Sequence, residues 1–295
     1  MPLNLVFING RFVPENKATV SIFDFGYLYG DGVFETMRAY NGFIFKLDAH
    51  LTRLSHSANQ IRIPIPYGLG SIKNLCYQIL KKNHLKNASL RITLSRGVGK
   101  TRFNPLSCKK PTFSILANPF TGYPKSFYHQ GIKTNLLREY FFPPEKQTPK
   151  IKSCNYQPNV LAKIKVSRKN LQETLFFNQK GHMVEGITSN LFIVKNKKLL
   201  TPSLATGCLN GITRNTVIKI ARTTLKLRVK ETHFSSKEIF SSHECFLTNS
   251  LMEIIPVVQV EEKVIRNGKP GKITLDLLEL YGKLVQNQSK KYRNL

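Results

Sequence analysis

Four places in the chain carry side chains whose type and setting could do chemistry. Lys152 follows a proline-rich stretch, in Ile151-Lys152-Ser153-Cys154-Asn155-Tyr156. An amine there is a nucleophile or base if its ammonium form is disfavoured, and otherwise one more surface charge. Glu185 opens Glu-Gly-Ile-Thr-Ser-Asn-Leu-Phe ahead of an apolar strand, in a chain with only 17 Asp and Glu. It is either a turn carboxylate or a placed negative charge. Asn210-Gly211-Ile212-Thr213-Arg214 stands at an expected helix start. Glycine lets the backbone approach a ligand there, and the open amides of a first helical turn suit phosphate. The alternative is that Thr213 caps its own helix. Arg53, in His50-Leu51-Thr52-Arg53-Leu54, falls off the apolar stripe of its helix, as a solvated residue would.

The elements that must position these residues read as two α+β domains. Leu5–Ile8 and Arg11–Val13 flank Asn9-Gly10, and Phe34–Tyr40 and Phe43–Phe45 flank Asn41-Gly42. Both are hairpin signals, because Asn-Gly favours the positive φ angles of a tight turn. Leu47, Leu51, Leu54, Ala58 and Ile61 step by four and three and predict a helix with one buried stripe. Leu69 to Leu80 predicts another helix, and Ser89–Ser95 and Thr112–Ala117 predict strands. Asn118–Pro124 is rich in turn residues, which divides the chain into a small domain (1–118), a linker (119–125) and a larger domain (126–295). In the larger one we expect strands at Ile132–Leu137, Glu173–Phe177, Asn190–Val194 and Glu244–Thr248. Helices are expected at Asn159–Arg168, Thr213–Leu225 and from Ile273, and Phe142–Lys150, with three prolines, should be a loop. A cleft between two such domains is the default ligand site.

Composition narrows the function classes. At 295 residues with 41% hydrophobic and 21% charged residues, the chain is globular rather than disordered or collagen-like. No apolar run reaches the length of a membrane span, and no secretory signal is visible. Forty-five Lys and Arg against 17 Asp and Glu give a net charge of +28, which raises nucleic acid as a partner. The basic residues are scattered, singly or in pairs such as Lys81-Lys82 and Lys197-Lys198. That argues for a solvated basic surface instead. The five cysteines are isolated, with no Cys-x-x-Cys, and the seven histidines lack metal spacing, so no metal is expected and a reducing cytoplasm fits.

Together the four places form a pattern. Glu185, Asn190, Phe192, Leu199, Thr201, Leu209, Gly211, Ile212 and Arg214 resemble the signature of the class IV (fold type IV) pyridoxal-phosphate aminotransferases. Phe23 to Thr36 is similar to that family's glycine-rich N-terminal segment, His50-x-x-Arg53-Leu54 to its phosphate-arginine helix, and Lys152-Ser-x-Asn155-Tyr156 to its lysine motif. Thr248-Asn249-Ser250 followed by Ile255-Pro256-Val257 is similar to its C-terminal phosphate turn. The matches run in the family's order over nearly the whole chain. The resemblance implies a two-domain α+β fold like that of D-amino acid aminotransferase, with a small N-terminal domain and a larger pseudo-barrel domain. It implies pyridoxal 5′-phosphate held by Lys152 as a Schiff base and a homodimer acting on small amino-acid substrates with a 2-oxo acid acceptor. Glu185 would face the pyridine nitrogen, Tyr156 the phenolic oxygen and Leu209 the ring. Arg53, Ile212, Thr213, Thr248, Asn249 and Ser250 would hold the phosphate, and Asn190 would complete the cofactor site.

Three activities share this resemblance. Lys152-Ser-x-Asn-Tyr with Asn159-Val-Leu-Ala-Lys163 is most similar to branched-chain L-amino acid aminotransferases, in which Phe34, Arg38 and Arg91 would line the substrate pocket with Arg102 nearby. Thr248-Asn249-Ser250-Leu251-Met252 and Ser95-Arg96-Gly97-x-Gly99 look more like 4-amino-4-deoxychorismate lyase, which forms 4-aminobenzoate and pyruvate. D-amino acid transaminases typically carry an Arg-x-His pair in the loop after the strand ending near Ser95, and no histidine follows Arg102 here. The expectation is therefore L-amino acid transamination first, the lyase second and D-specificity third.

Overall fold

The computed structural model describes residues 4–100, 103–142, 151–168 and 171–293. The Cα packing divides the chain into two units. The first comprises 1–121, 151–156 and 285–295, and the second 122–150 and 157–284. A single cut along the sequence does not reproduce this. The segment bearing Lys152 groups with the first unit, whereas the sequence places it in the larger domain.

In the first unit, strands β1 (Leu5–Ile8), β2 (Arg11–Pro14), β3 (Gly32–Tyr40), β4 (Phe43–Ile44), β5 (Ala88–Ser95) and β6 (Thr112–Pro119) form an antiparallel sheet in the order β2-β1-β6-β5-β3-β4. Both Asn-Gly turns adopt positive φ: Asn9 46° and Gly10 92°, Asn41 51° and Gly42 87°. That backbone joins β1 to β2 and β3 to β4 with a twist matching the strands. A short helix the sequence does not suggest, α1 (Phe25–Tyr29), precedes β3. Asp24 caps it through the Gly26 amide at 2.7 Å, and Gly30 closes it at φ 67°. Helices α2 (Leu47–Gln60) and α3 (Leu69–Lys82) cover one face of the sheet. The stripe Leu47, Leu51, Leu54 and Ala58 packs with Val33, Met37, Ile72, Leu90 and Ile92 into one buried core. Alternation along β3 and β5 leaves Phe34, Thr36 and Arg38, and opposite them Arg91 and Thr93, on the other face.

The second unit is built on a nine-stranded sheet. Helix α4 (Lys125–His129) leads into β7 (Ile132–Phe142), and α5 (Gln157–Arg168) connects to β8 (Glu173–Asn178) and β9 (Met183–Gly186). Then come β10 (Asn190–Lys195), β11 (Lys198–Pro202), α6 (Ile212–Thr223), β12 (Arg228–Thr232), α7 (Ser236–Phe240), β13 (Glu244–Asn249), β14 (Glu253–Val260), β15 (Lys263–Val264) and α8 (Lys272–Arg293). The sheet order is β12-β11-β10-β13-β14-β7-β8-β9, with β15 on β14. The end strand β9 also lies against β10 and β11, so the sheet curls into a half-barrel. Its interior holds Leu175, Met183, Leu191, Ile193, Leu247, Ile255 and Val257.

Strand β7 continues to Phe142, beyond the expected end at Leu137, while residues 143–150 of the expected loop lie outside the described residues. Among the described residues, no helix is long and apolar enough to cross a membrane.

Candidate active site

In the first unit, the segment 151–156 is held along the start of β3. The Phe34 amide donates to the Lys152 carbonyl at 2.9 Å, and the Cys154 amide donates to the Gly32 carbonyl at 2.8 Å. Gly32 is required by this approach. A Cβ there would fall 2.8 Å from the Leu94 carbonyl oxygen and 3.3 Å from the Cys154 sulfur. The pairing brings side chains distant in sequence around one ring. Lys152 Nζ lies 4.5 Å and the Arg91 guanidinium 3.8 Å from the centroid of Phe34. Tyr156 meets the same ring edge-on at 5.3 Å. Arg91 Nε donates to Thr93 Oγ1 at 3.2 Å, and burial lowers the guanidinium's basicity. The Arg38 guanidinium is 4.6 Å from the Tyr40 ring and 5.0 Å from that of Phe120. Arg102 lies outside the described residues.

Arg53 is not a solvated helix residue. Its Nε and Nη2 each donate to a different oxygen of Glu35 at 2.7 Å, and His50 Nδ1 lies 2.7 Å from Glu35 Oε2. Burial alone would push the Glu35 carboxyl up. The hydrogen bonds of Arg53 and His50, followed by the charge of Arg53, outweigh it and hold the carboxyl at about 2. Burial pushes His50 down, against the raising influence of Glu35. Glu35 therefore fixes the planar fork of Arg53. The sequence places His50 in the arginine-helix motif and Glu35 in the glycine-rich segment but assigns neither a part. The available signals were a scarce acid on the inward phase of β3 and a histidine three positions before Arg53.

In the second unit, Glu185 lies near the end of β9 and Asn190 begins β10. Glu185 Oε2 accepts the Leu209 amide at 2.9 Å and Asn190 Nδ2 at 3.2 Å, and Asn190 Nδ2 also donates to the Leu209 carbonyl at 2.8 Å. Asn190 thus brackets Glu185 against the chain at Leu209. Gly211 follows, and a Cβ on it would lie 1.9 Å from Asn190 Oδ1. Gly211 is the N-cap of α6 and supplies no capping side chain. Thr213 is buried inside the first turn instead of capping it. With no capping side chain among the described residues, the first turn, which holds the Ile212 and Thr213 amides, suits an external anion. Arg214 is fully buried, donating to the Pro202 carbonyl at 3.0 Å and to Glu231 at 2.9 Å, so its part is to tie α6 to the sheet.

Thr248 is fully buried, and its hydroxyl lacks a hydrogen-bond partner among the described residues. Asn249 builds its own turn: its Oδ1 accepts the amides of Leu251 at 2.9 Å and Met252 at 2.8 Å. In the second unit, a buried hydroxyl without a partner among the described residues, a helix start with no capping side chain and a bracketed carboxylate fit a phosphate ester on a basic heterocycle.

The family described as amino-transferase class IV matches residues 32–260. A Methanocaldococcus jannaschii protein provisionally named a branched-chain-amino-acid aminotransferase is 38% identical over 276 residues, covering 94% of each chain. The aminodeoxychorismate lyase of Bacillus subtilis is 33% identical over 285 residues, covering 96% of this chain and 95% of that one. The crystal structure of the T.th. branched-chain amino acid aminotransferase with pyridoxamine 5′-phosphate superposes with a TM-score of 0.91 at 26% identity, covering 99% of this chain and 97% of that one.

Proposed function

The chain belongs to the class IV aminotransferases, enzymes that use pyridoxal 5′-phosphate, and from that premise we propose that it transfers the amino group of a branched-chain type L-amino acid to 2-oxoglutarate. The observation that carries this reading is the pair of cations on Phe34. An amine, Lys152, and a partly buried guanidinium, Arg91, flank one aromatic ring. Transamination needs a base for the proton on Cα and an anchor for a carboxylate, and these two supply them.

When bound, the cofactor supplies an aldehyde that takes up an amine and a ring that accepts the electrons left at Cα. Lys152 Nζ would be the amine that holds the cofactor, and when free it would carry the proton of the substrate's Cα. Glu185 would keep the pyridine nitrogen protonated, and the hydrogen bonds from Asn190 and Leu209 hold its carboxylate in place. Arg53 in the first unit would be a phosphate ligand, and in the second unit the Ile212 and Thr213 amides and the Thr248–Ser250 turn would be. Tyr156 would donate to the cofactor's phenolic oxygen, and Leu209 would pack on its ring. Phe34, Arg38, Arg91 and Arg102 serve the substrate. Glutamate and branched-chain acids share the α-carboxylate, and 2-oxoglutarate adds a second that needs a cation.

The lyase is the second reading, favoured by the B. subtilis relative. The two motifs that resemble it have internal partners here. Asn249 shapes its own turn, and Arg96 is engaged by Asp31 at 2.5 Å and by the Ile61 carbonyl at 2.8 Å. One assay separates the readings. With leucine and 2-oxoglutarate we expect glutamate and 4-methyl-2-oxopentanoate, and loss of both in Lys152→Ala. Release of 4-aminobenzoate and pyruvate from aminodeoxychorismate, with no amino transfer, would reverse the assignment.

The reading also includes a homodimer in the cytoplasm. Ile22, Tyr27, Phe103 and Leu106, all in the first unit, are 64%, 72%, 69% and 85% exposed, an apolar surface that a second copy would cover.

A further inference from the structure

Glu173, the first residue of β8, is a buried carboxylate that the reaction above leaves without a part. Its Oε1 accepts the Ile187 amide at 2.7 Å and the Thr174 amide at 3.3 Å. Its Oε2 accepts the Ser189 hydroxyl at 3.2 Å and the Thr188 hydroxyl at 3.4 Å. Three consecutive residues of the β9–β10 loop hang on this one group. The loop starts at Glu185-Gly186 and ends at Asn190. The Gly186 amide closes it on the Ser189 carbonyl at 2.7 Å. It wraps the carboxylate tightly, since a Cβ on Gly186 would lie 2.4 Å from Ser189 Oγ and 3.2 Å from Glu173 Cγ and Cδ.

The far side of the loop meets another part of the candidate site. Asn249 Nδ2 donates to the Thr188 carbonyl at 3.2 Å and to its hydroxyl oxygen at 3.3 Å. The same side chain shapes the β13–β14 turn through the Leu251 and Met252 amides. A continuous chain of hydrogen bonds thus runs from Glu173 through Thr188 to Asn249, while the loop ends carry Glu185 and Asn190. Burial pushes the Glu173 carboxyl up, against the pull of its amide and hydroxyl donors.

We infer that Glu173 is a positioning residue that holds the Glu185–Asn190 bracket and the Thr248–Ser250 turn in mutual register through the 187–189 loop. The inference rests on the proposed roles of Glu185 and that turn toward the cofactor. The chemistry of the four contacts supplies a discriminating substitution. A glutamine can accept both amides with its oxygen and donate to both hydroxyls with its nitrogen, because hydroxyls accept as well as donate. An alanine leaves the amides and hydroxyls without their partner.

The test compares wild type with Glu173→Ala, Glu173→Gln and Thr188→Val. Amide hydrogen exchange is measured on the full-length apoprotein, and pyridoxal 5′-phosphate binding by equilibrium dialysis. Glu173→Ala should speed exchange at Ile187 and also at Leu251 and Met252, and weaken cofactor binding about tenfold. Glu173→Gln should restore both to within about twofold. Thr188→Val removes the hydroxyl that links Glu173 Oε2 to Asn249, leaving the amide contacts of the carboxylate and the Asn249 bond to the residue-188 carbonyl, and should speed exchange at Leu251 and Met252 even if the alanine variant does not fold. Faster exchange confined to Ile187, with Leu251, Met252 and cofactor affinity unchanged, would overturn the inference, as would a glutamine variant as impaired as alanine. If wild type binds no pyridoxal 5′-phosphate, the reading of the site fails, and the exchange measurements still decide the coupling.

Discussion

Glu35 does the most at the scale of single residues while carrying no obvious label. It neutralises Arg53 from within the core, and Arg53 is 13% exposed, so the pair is largely removed from water. A carboxyl held at about 2 instead of its ordinary 4.5 is a folded-state pKa below the unfolded one. Its contribution to stability is therefore complete above about pH 4.5 and lost as pH falls toward about 2, and amounts to about 3 kcal/mol. His50, pushed down by burial, adds acid lability in the same direction, because the folded state resists its protonation. Glu35→Gln should lower stability at neutral pH by about 3 kcal/mol, leaving Arg53 without its counter-charge. It should also flatten the acid limb of a denaturant-midpoint profile. An unchanged acid limb would remove Glu35 from this account. The chemical types at Lys152, Glu185 and Arg53 were legible in the sequence. That Arg53 meets a carboxylate 18 positions away was not, since helix periodicity says which side a residue faces and not what waits there.

At the scale of elements, the local signals are legible where backbone conformation is set by neighbouring residues. Asn9-Gly10 and Asn41-Gly42 turn as expected, and the stripe of α2 is buried as its spacing requires. The short strand β9 and the helix α1 escaped, being four and five residues long and too brief for a period to show. Strand β14 was visible only as an apolar run broken by Pro256, which does not identify an element by itself. The junction of β10 with α6 makes its own prediction. Gly211→Ala places a methyl 1.9 Å from Asn190 Oδ1, so Asn190 must swing away from Glu185 and Leu209 or α6 must shift. We expect a loss of about 1–3 kcal/mol in thermal or denaturant unfolding and weaker retention of the cofactor's visible absorbance band. A variant with wild-type stability and retention would show that the junction has slack.

For the whole molecule, the net charge of +28 is met by few carboxylates, several of which are already paired: Glu35 with Arg53, Asp31 with Arg96, Asp48 with Lys73 and Glu231 with Arg214 and Arg222. Among the described residues most basic side chains are exposed or half-buried, where they favour solubility and attract anionic substrates. The exposed apolar residues of the first unit run against that trend. Sedimentation should find a dimer, and replacing Ile22 and Leu106 with aspartate should shift it toward monomer without unfolding either unit. A monodisperse monomer at micromolar concentration would exclude the dimer.

The order of the chemical groups, the hairpins, the main helices and the membership of a family are written in the sequence, because each depends on residue type, spacing and local φ preference. The tertiary structure alone decides that Lys152 lies along β3 beside Phe34, that Glu35 orients Arg53 and that Glu173 reaches Asn249 through Thr188. Each of these joins segments far apart in the chain through backbone pairing or a buried polar group. Such contacts form only when the whole core closes, and no local period carries them.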